Sequence, residues 1–565
     1  MAPNVFAQSD SSWLQRAQSS IMLAAQDWLK IKGSAALFAE AYTVPSGVQS
    51  RRPPGTVRMN VQATLTLFDQ FIIPLELLLS TEQVQFRQPF NQLSLAPQIG
   101  KNVKLYAGFH TLTLSALSAG DVRVNGGGAD VKLGRFRILA SAGQSQRAAV
   151  PDTTTPAARF TPPTFAQTML MGRVMYESDS GAVLGMNIVR ARDDAGSVEV
   201  EQRRRFQPIE AKDNLVLSLD AAVPLFLRTV QVQAELAASR SGALWAEART
   251  PECGFIAAPV VSADRLRLDW AARGSVDYSS PTVPLSIRLR GEYIGPGYTT
   301  LAYPQLVNDR FEADVAAQLR LLDGRCTLGG SIGYATDNLA GDRATTASRI
   351  IGSANVSAQL IDEFGFDIQY QNYGIRVAPP PNFGVIQQMT MPVQLQTQQV
   401  FGMISIAPRA SFQIGSVPQN VSLTASLQQF SDANPETRRA TENSSAMARL
   451  LWNTTLQKLS LTLNAGYTNN ASALAQFRAT DAALTVAHPL FDAKVTPALT
   501  LGWTRSSESS GLESRFSATL RASYKLTKQL DAALNAQGNY YVYRPGSRSP
   551  SYAEAQISIE LRQRF

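Results

Sequence analysis

Tyr552-Ala553-Glu554-Ala555-Gln556-Ile557-Ser558-Ile559-Glu560-Leu561-Arg562-Gln563-Arg564-Phe565 is the stretch whose reading decides the fold. Its odd positions, Ala553, Ala555, Ile557, Ile559, Leu561, Gln563 and Phe565, are mostly apolar. Its even positions, Tyr552, Glu554, Gln556, Ser558, Glu560, Arg562 and Arg564, are polar or charged. A pleated strand sends these two sets to opposite faces. A soluble sheet could carry one such strand, so the pattern has to be followed back along the chain.

It recurs at Leu530–Tyr543, with Leu530, Ala532, Leu534, Ala536, Gly538, Tyr540 and Val542 against Asp531, Asn535, Gln537 and Asn539. Phe516, Ala518, Leu520, Ala522 and Tyr524 alternate with Arg515, Ser517, Thr519, Arg521 and Ser523. Leu285, Ile287, Leu289, Gly291 and Tyr293 oppose Arg288, Arg290 and Glu292, and Phe311 to Leu321 alternates with Glu312, Asp314 and Arg320. Further copies start at Val421, Leu459 and Phe364. Working back from Phe565, the connections alternate short and long. Thr527-Lys528, Gln457-Lys458 and Asp362-Glu363 are tight; 295–310, 336–348, 374–395 and 431–443 are long. Leu322-Asp323-Gly324-Arg325 contains Asp-Gly, a two-residue hairpin signal. About ten alternating residues per strand and connections of unequal length on the two sides are the signature of an outer-membrane barrel. The expectation is an all-β chain: one large closed antiparallel transmembrane β-barrel of roughly 22–26 strands, spanning 29–565 behind a short leader, 1–28.

Composition agrees. Of the 565 residues, 44% are hydrophobic and only 17% charged, against roughly 25% charged in a typical soluble domain. Mean hydropathy is −0.09. The longest apolar run, Phe71 to Leu79, contains Pro74 and Glu76 and is about half a spanning helix. Tyr293, Tyr334, Tyr370, Trp452, Trp503, Tyr524 and Tyr540 fall near strand ends, as an interfacial girdle requires; alternation of this kind leaves no core for them to fill. Trp13, Leu14, Ala17, Ile21, Ala24, Ala25 and Trp28 recur with helical spacing, so the leader reads either as an amphipathic helix or as a disordered lead-in to the first strand. Val5-Phe6-Ala7 resembles the tail of a signal peptide.

The function classes narrow in the same way. Two cysteines, Cys253 and Cys326, exclude a disulfide framework; parity puts them on opposite rims. The two histidines stand outside any nucleophile motif, with Ser115 and Ser118 near His110 and Pro489 after His488. No catalytic, cofactor or metal site is expected, and Gly126-Gly127-Gly128 lacks the lysine of a phosphate loop. The net charge of +8 fits arginines lining an aqueous lumen and gripping lipid headgroups or lipopolysaccharide. An anion-preferring pore is the sharper reading. Nucleic-acid binding would need a clustered basic face instead. Candidate lumen charges are Arg288, Arg290, Glu292, Glu312, Asp314, Arg320, Arg515, Arg521, Glu554, Glu560, Arg562 and Arg564.

Two resemblances add to this. Ile557, Ile559, Leu561 and Phe565 resemble the C-terminal signal read by the barrel-assembly machinery, with Gln563 as a departure. Arg87-Gln88-Pro89-Phe90-Asn91-Gln92, Leu95-Ala96-Pro97, Tyr106-Ala107-Gly108-Phe109, Gly126-Gly127-Gly128, Leu133-Gly134-Arg135-Phe136-Arg137 and Ala148-Ala149-Val150-Pro151-Asp152 occur in order. With Gly295-Pro296-Gly297-Tyr298-Thr299-Thr300-Leu301 and Asn308-Asp309, they resemble a family of large outer-membrane barrels common in Bacteroidota and related phyla. In that family the segment matching Ala116–Asp121 ends in Gly-His; here it ends in Gly120-Asp121. The resemblance implies the fold and an outer-membrane location, and no particular activity. The expected function is a pore passing small solutes through a polar, Arg-rich lumen, narrowed by the 374–395 loop or the N-terminal helix folding inward. Residues 1–28 are too few for a separate plug domain. The alternative is a non-transporting barrel that binds a partner protein in an envelope assembly.

Overall fold

The computed structural model describes residues 28–48, 50, 52–81, 91–149, 163–199, 210–244, 267–343, 345–378, 397–432, 442–472, 476–507, 512–545 and 550–565. Its strands close into a 26-strand antiparallel barrel. In chain order they are β1 (Leu29–Thr43), β2 (Gly55–Leu67), β3 (Phe71–Ser80), a broken β4 (Gln92–Leu95 and Gln98–Ile99), β5 (Val103–Leu112), β6 (Val122–Leu133) and β7 (Phe136–Gln146). Next come β8 (Ala166–Glu177), β9 (Val183–Asp194), β10 (Ala211–Leu225), β11 (Val230–Leu244), β12 (Arg267–Ser279), β13 (Leu285–Ile294), β14 (Arg310–Leu321), β15 (Cys326–Asp337) and β16 (Thr346–Ile361). The remainder are β17 (Phe364–Ala378), β18 (Thr397–Ile414), β19 (Val417–Asp432), β20 (Asn443–Leu456), β21 (Leu459–Ser472), β22 (Gln476–Ala487), β23 (Val495–Ser507), β24 (Leu512–Lys525), β25 (Leu530–Tyr543) and β26 (Tyr552–Arg564). Both pieces of β4 pair with β3 and β5. They part at Pro97, which has no N–H to give the ladder.

Each strand pairs with its sequence neighbours, and the ring closes where β1 meets β26, from Ser34 opposite Arg564 to Thr43 opposite Ala555. Gly33 and Phe565 exchange backbone hydrogen bonds at the end of this seam, at 2.9 and 3.1 Å. Closure leaves no bare sheet edge, which a bilayer does not tolerate. One rim carries tight turns whose residues take positive φ, such as Phe68-Asp69, Leu322-Asp323-Gly324 and Phe491-Asp492-Ala493. Asp323-Gly324 is therefore part of a four-residue connection between Leu321 and Cys326, and not a two-residue hairpin. The other rim carries most of the long connections.

The outward face is apolar. Leu289, Leu499, Phe516, Leu520, Tyr540, Ile557 and Ile559 are all 40–51% exposed. Such rows would be ruinous in water and are at home in lipid. The inward face from β16 to β26 is polar and only partly covered, while toward the long rim from β5 to β13 it is packed. Leu112, Val124, Leu139, Met169, Met171, Val189, Val216, Ala237, Ala271 and Ile294 form a buried apolar cluster there. The barrel does have a core, contrary to the reading that alternation leaves none. The 1–27 leader, Val5-Phe6-Ala7, Arg203-Arg204-Arg205, Cys253, Pro379-Pro380-Pro381, Arg87–Phe90 and Val150–Asp152 lie outside the described residues.

Candidate functional site

The core exists because two long-rim loops fold into the lumen. Thr113-Leu114-Ser115-Ala116-Leu117-Ser118-Ala119-Gly120-Asp121 is apolar or small until its last residue, so an exposed course would waste its leucines. Leu114 is 3% exposed, and Leu117 and Ala119 are fully buried. Removing a leucine side chain from water is worth roughly 1.5–3 kcal/mol. Thr113 Oγ1 donates to Asp121 Oδ1 at 2.8 Å and closes the neck of this loop. Ser115 Oγ meets Ser218 Oγ on β10 at 3.1 Å. The Leu117 N–H donates to Glu235 Oε1 on β11 at 3.1 Å.

The second loop, 295–309, lies against the first. Its neck is drawn shut by the Asp309 N–H donating to Gly295 O at 3.2 Å. Asp309 Oδ1 also accepts from the Leu339 N–H at 2.7 Å, and Arg343 bridges its other oxygen at 3.1 Å. These bonds brace the neck against the next long-rim loop. Asp269 explains the glycines: a Cβ on Gly295 would fall 2.3 Å from its carboxylate oxygen. The carboxylate accepts from the Gly297 N–H at 2.7 Å. Asn214 of β10 donates to Thr299 O at 2.8 Å and accepts from the Leu301 N–H at 3.1 Å.

Two bonds then clasp loop to loop. Tyr298 Oη donates to Leu117 O, and Thr300 Oγ1 donates to Ser118 O, each at 2.6 Å. Tyr298 is 1% exposed. Burial pushes its phenol above the usual range, so it stays a neutral donor.

Around the clasp the inner wall is a lattice of paired charges. Register lines up Asp220, Glu235, Arg273, Glu292 and Glu312 across β10 to β14. Arg173 bridges Asp220 at 2.7 Å, and Arg310 reaches Glu292 at 2.7 Å and Glu312 at 3.2 Å. Arg290 bridges Asp314 at 2.6 Å, and Arg288 bridges Asp277. On the far wall Glu560 pairs with Arg562 at 2.7 Å and Arg564 with Asp531 at 2.6 Å. Glu554 accepts from Tyr42 and Tyr541, both at 2.7 Å. All twelve candidate lumen charges share the face opposite the exposed apolar rows. Arg320, Arg515 and Arg521 have no carboxylate within bridging distance among the described residues. Ile557, Ile559, Leu561 and Phe565 face outward, 41–50% exposed.

The clasp separates two spaces. A vestibule of about 1320 Å³ on the long-rim side is lined by Asp121, Arg123, Lys212, Arg273, Tyr303 and Arg310. A niche of about 290 Å³ on its other side is lined by Ser115, Arg173, Asp220, Glu235 and Arg273. Arg273 touches both.

His110 is elsewhere. Its Nε2 lies 2.7 Å from Ser141 Oγ and its Nδ1 3.0 Å from Gly108 O. The carbonyl requires a proton on Nδ1, so Nε2 accepts from the serine. The ring lies over Gly128, where a Cβ would come within 3.2 Å of Nε2. This Ser–His contact is buried, and Ser115 and Ser118 bond into the clasp instead. His488 Nδ1 sits 2.8 Å from Pro489 O at a short turn. Among the described residues no group of three or more His, Cys, Asp or Glu side chains could hold a metal ion.

A closed 26-strand ring with an apolar exterior and a charged interior defines a transmembrane β-barrel of the outer membrane. No family model and no curated protein matches the chain. Among solved structures it is similar to the ferric yersiniabactin uptake receptor FyuA from Yersinia pestis, at 9% identity over 95% of this chain and 80% of that one, TM-score 0.40. The alcaligin outer-membrane receptor FauA from Bordetella pertussis matches at 9% identity over 94% and 76%, TM-score 0.36. A chain of the E. coli P pilus tip assembly intermediate PapC-PapD-PapK-PapG matches at 11% over 95% and 61%, TM-score 0.47. These likenesses extend to the barrel architecture alone.

Proposed function

We propose that the chain is a solute channel constricted on one side by its own in-folded loops. The observation that carries this reading is the Tyr298–Leu117 clasp, seated on one sector of a charge-lined wall. At a strand spacing of about 4.8 Å and a tilt of about 40°, a 26-strand ring is roughly 50 Å across between backbones. Barrels of 16–18 strands already leave an aqueous channel. The described hydrogen bonds of the two loops reach only the wall from β10 to β12 and the next long-rim loop, so they narrow the lumen without spanning it.

The lattice also refines the charge reading. Most described lumen arginines are matched by a carboxylate on a neighbouring strand. Near the clasp the wall is balanced, which favours polar or zwitterionic solutes over a general anion preference. The buried side chains around the loops serve packing, and we assign the chain no catalysis. Membership of the Bacteroidota-type family belongs to the same proposal, because its Gly295–Leu301 and Ala116–Asp121 segments are the ones that meet in the clasp.

Single-channel recording of the refolded protein under a salt gradient tests the proposal. The expected result is a steady conductance with weak ion preference. A silent barrel that purifies with a stoichiometric protein would overturn it and favour a partner-filled scaffold.

A further inference from the structure

The inner wall at the short-turn mouth carries a third cavity, about 490 Å³ in volume, that the clasp does not use. Five cations, Lys101, Lys104, Lys132, Arg135 and Arg137, line it beside two carboxylates, Asp130 and Glu177. Arg137 is committed: it grips Asp130 with Nε at 2.8 Å and Nη2 at 2.5 Å. Both oxygens of Asp130 are taken in this way. Arg135 bridges Asp179 outside the cavity. Lys101, Lys104 and Lys132 are left with no carboxylate within bridging distance among the described residues.

Their setting is built, not loose. Register places Lys104 opposite Asp130 and Lys132 opposite Arg137 on one face. The Lys104 ammonium sits 5.0 Å from the Tyr106 ring centroid. Tyr106 in turn stacks on His110 at 5.2 Å, and His110 is held at both nitrogens. The Lys132 N–H donates to Asn102 O at 2.7 Å and ties its strand to the Lys101 turn. One ammonium seated on an aromatic ring and two exposed ones beside it, over a concave, partly apolar floor (Ile72, Met175), suit an anion that offers several oxygens at once.

We infer that this niche binds small oxyanions carrying two or more negative charges, a phosphate or a multiply carboxylated solute, at the short-turn mouth of the barrel. The site stands on the niche itself and holds whether or not the lumen conducts.

Equilibrium dialysis of the refolded full chain against inorganic phosphate, and separately citrate, tests it. The unaltered chain should bind one of these saturably, at one site per chain. The K104Q/K132Q double variant should bind about a hundredfold more weakly or worse, since two charge-assisted hydrogen bonds are lost together. K104R/K132R should retain most of the binding, which separates lost charge from lost folding. R515Q/R521Q, unpaired arginines on the far wall, should bind as the unaltered chain does. Preference for phosphate assigns a phosphorylated solute and preference for citrate a carboxylated one. No saturable binding, or an equal loss in the far-wall variant, overturns the inference. Because dialysis does not read conductance, a silent pore leaves the result intact.

Discussion

Two sectors of one wall use the same strand geometry to opposite ends. From β8 to β10 the alternation lapses toward the clasp: Met169 and Met171 point inward beside Leu170, Val189 beside Ile188, and Val216 between Leu215 and Leu217, while Arg173, Asn187, Asn214 and Asp220 keep the rest of that inner face polar. From β21 to β25 the inward positions include Thr462, Asn464, Asp481, Thr500, Arg515 and Arg521, with small residues such as Ala483 among them and the large apolar residues outward. A strand covered on both faces reads as a continuous apolar run, and one facing water on one side alternates. The loss of alternation therefore marks where the lumen is filled.

The largest effect should come from placing a charge on each inner face. Val216→Asp buries a carboxylate beneath the in-folded loops, at a cost of several kcal/mol. It should abolish the compact, heat-modifiable band on gel electrophoresis. Ala483→Asp, facing the polar sector, should leave that band unchanged; equal damage by both would show that the two sectors do not differ.

Releasing the clasp should come next. Tyr298→Ala empties a buried aromatic site, a change that typically costs about 3–5 kcal/mol in a packed core. It should raise single-channel conductance, because the loops then leave the wall. An unchanged conductance would mean that the loops hold their place without Tyr298.

A double-mutant cycle sharpens the contrast in the charge lattice. Arg173–Asp220 has side chains 12% and 18% exposed, and its coupling in urea titrations should reach about 1.5–3 kcal/mol. Arg564–Asp531 has its arginine 60% exposed and should couple by no more than about 1 kcal/mol. The smallest change is Tyr298→Phe, which keeps the ring and removes one hydrogen bond. It should cost about 1 kcal/mol by the same titration, and a larger loss would show that the bond to Leu117 O organises the clasp.

Much of the barrel is legible in the sequence because its period is two and its outward residues answer to lipid alone. Ile557, Ile559 and Leu561, or Leu285 to Tyr293, need no partner to declare their face. The clasp is harder to read because its meaning is tertiary. Leu117 and Tyr298 lie far apart in sequence and look like ordinary loop residues until the wall brings their strands together. Two features of the sequence point there: Leu114 and Leu117 stand in a loop with no charge before Asp121, and Met169-Leu170-Met171 breaks the alternation. The 374–395 loop, which its length marks as a second candidate to fold inward, lies largely outside the described residues. Cys326 begins β15 at the tight-turn rim, where parity put it.

The seam between β1 and β26 has a consequence for the order of events during biogenesis. Gly33 and Phe565 bond to each other from opposite ends of the described chain. A nascent chain emerging from its N-terminus must therefore hold β1 unsatisfied until β26 has been delivered. Antiparallel hairpins can form one by one as they appear, but the ring itself is all-or-none. Until closure two bare edges persist, each a template for pairing with another chain. Phe565, packed beside Gly33, completes the seam that removes both edges at once.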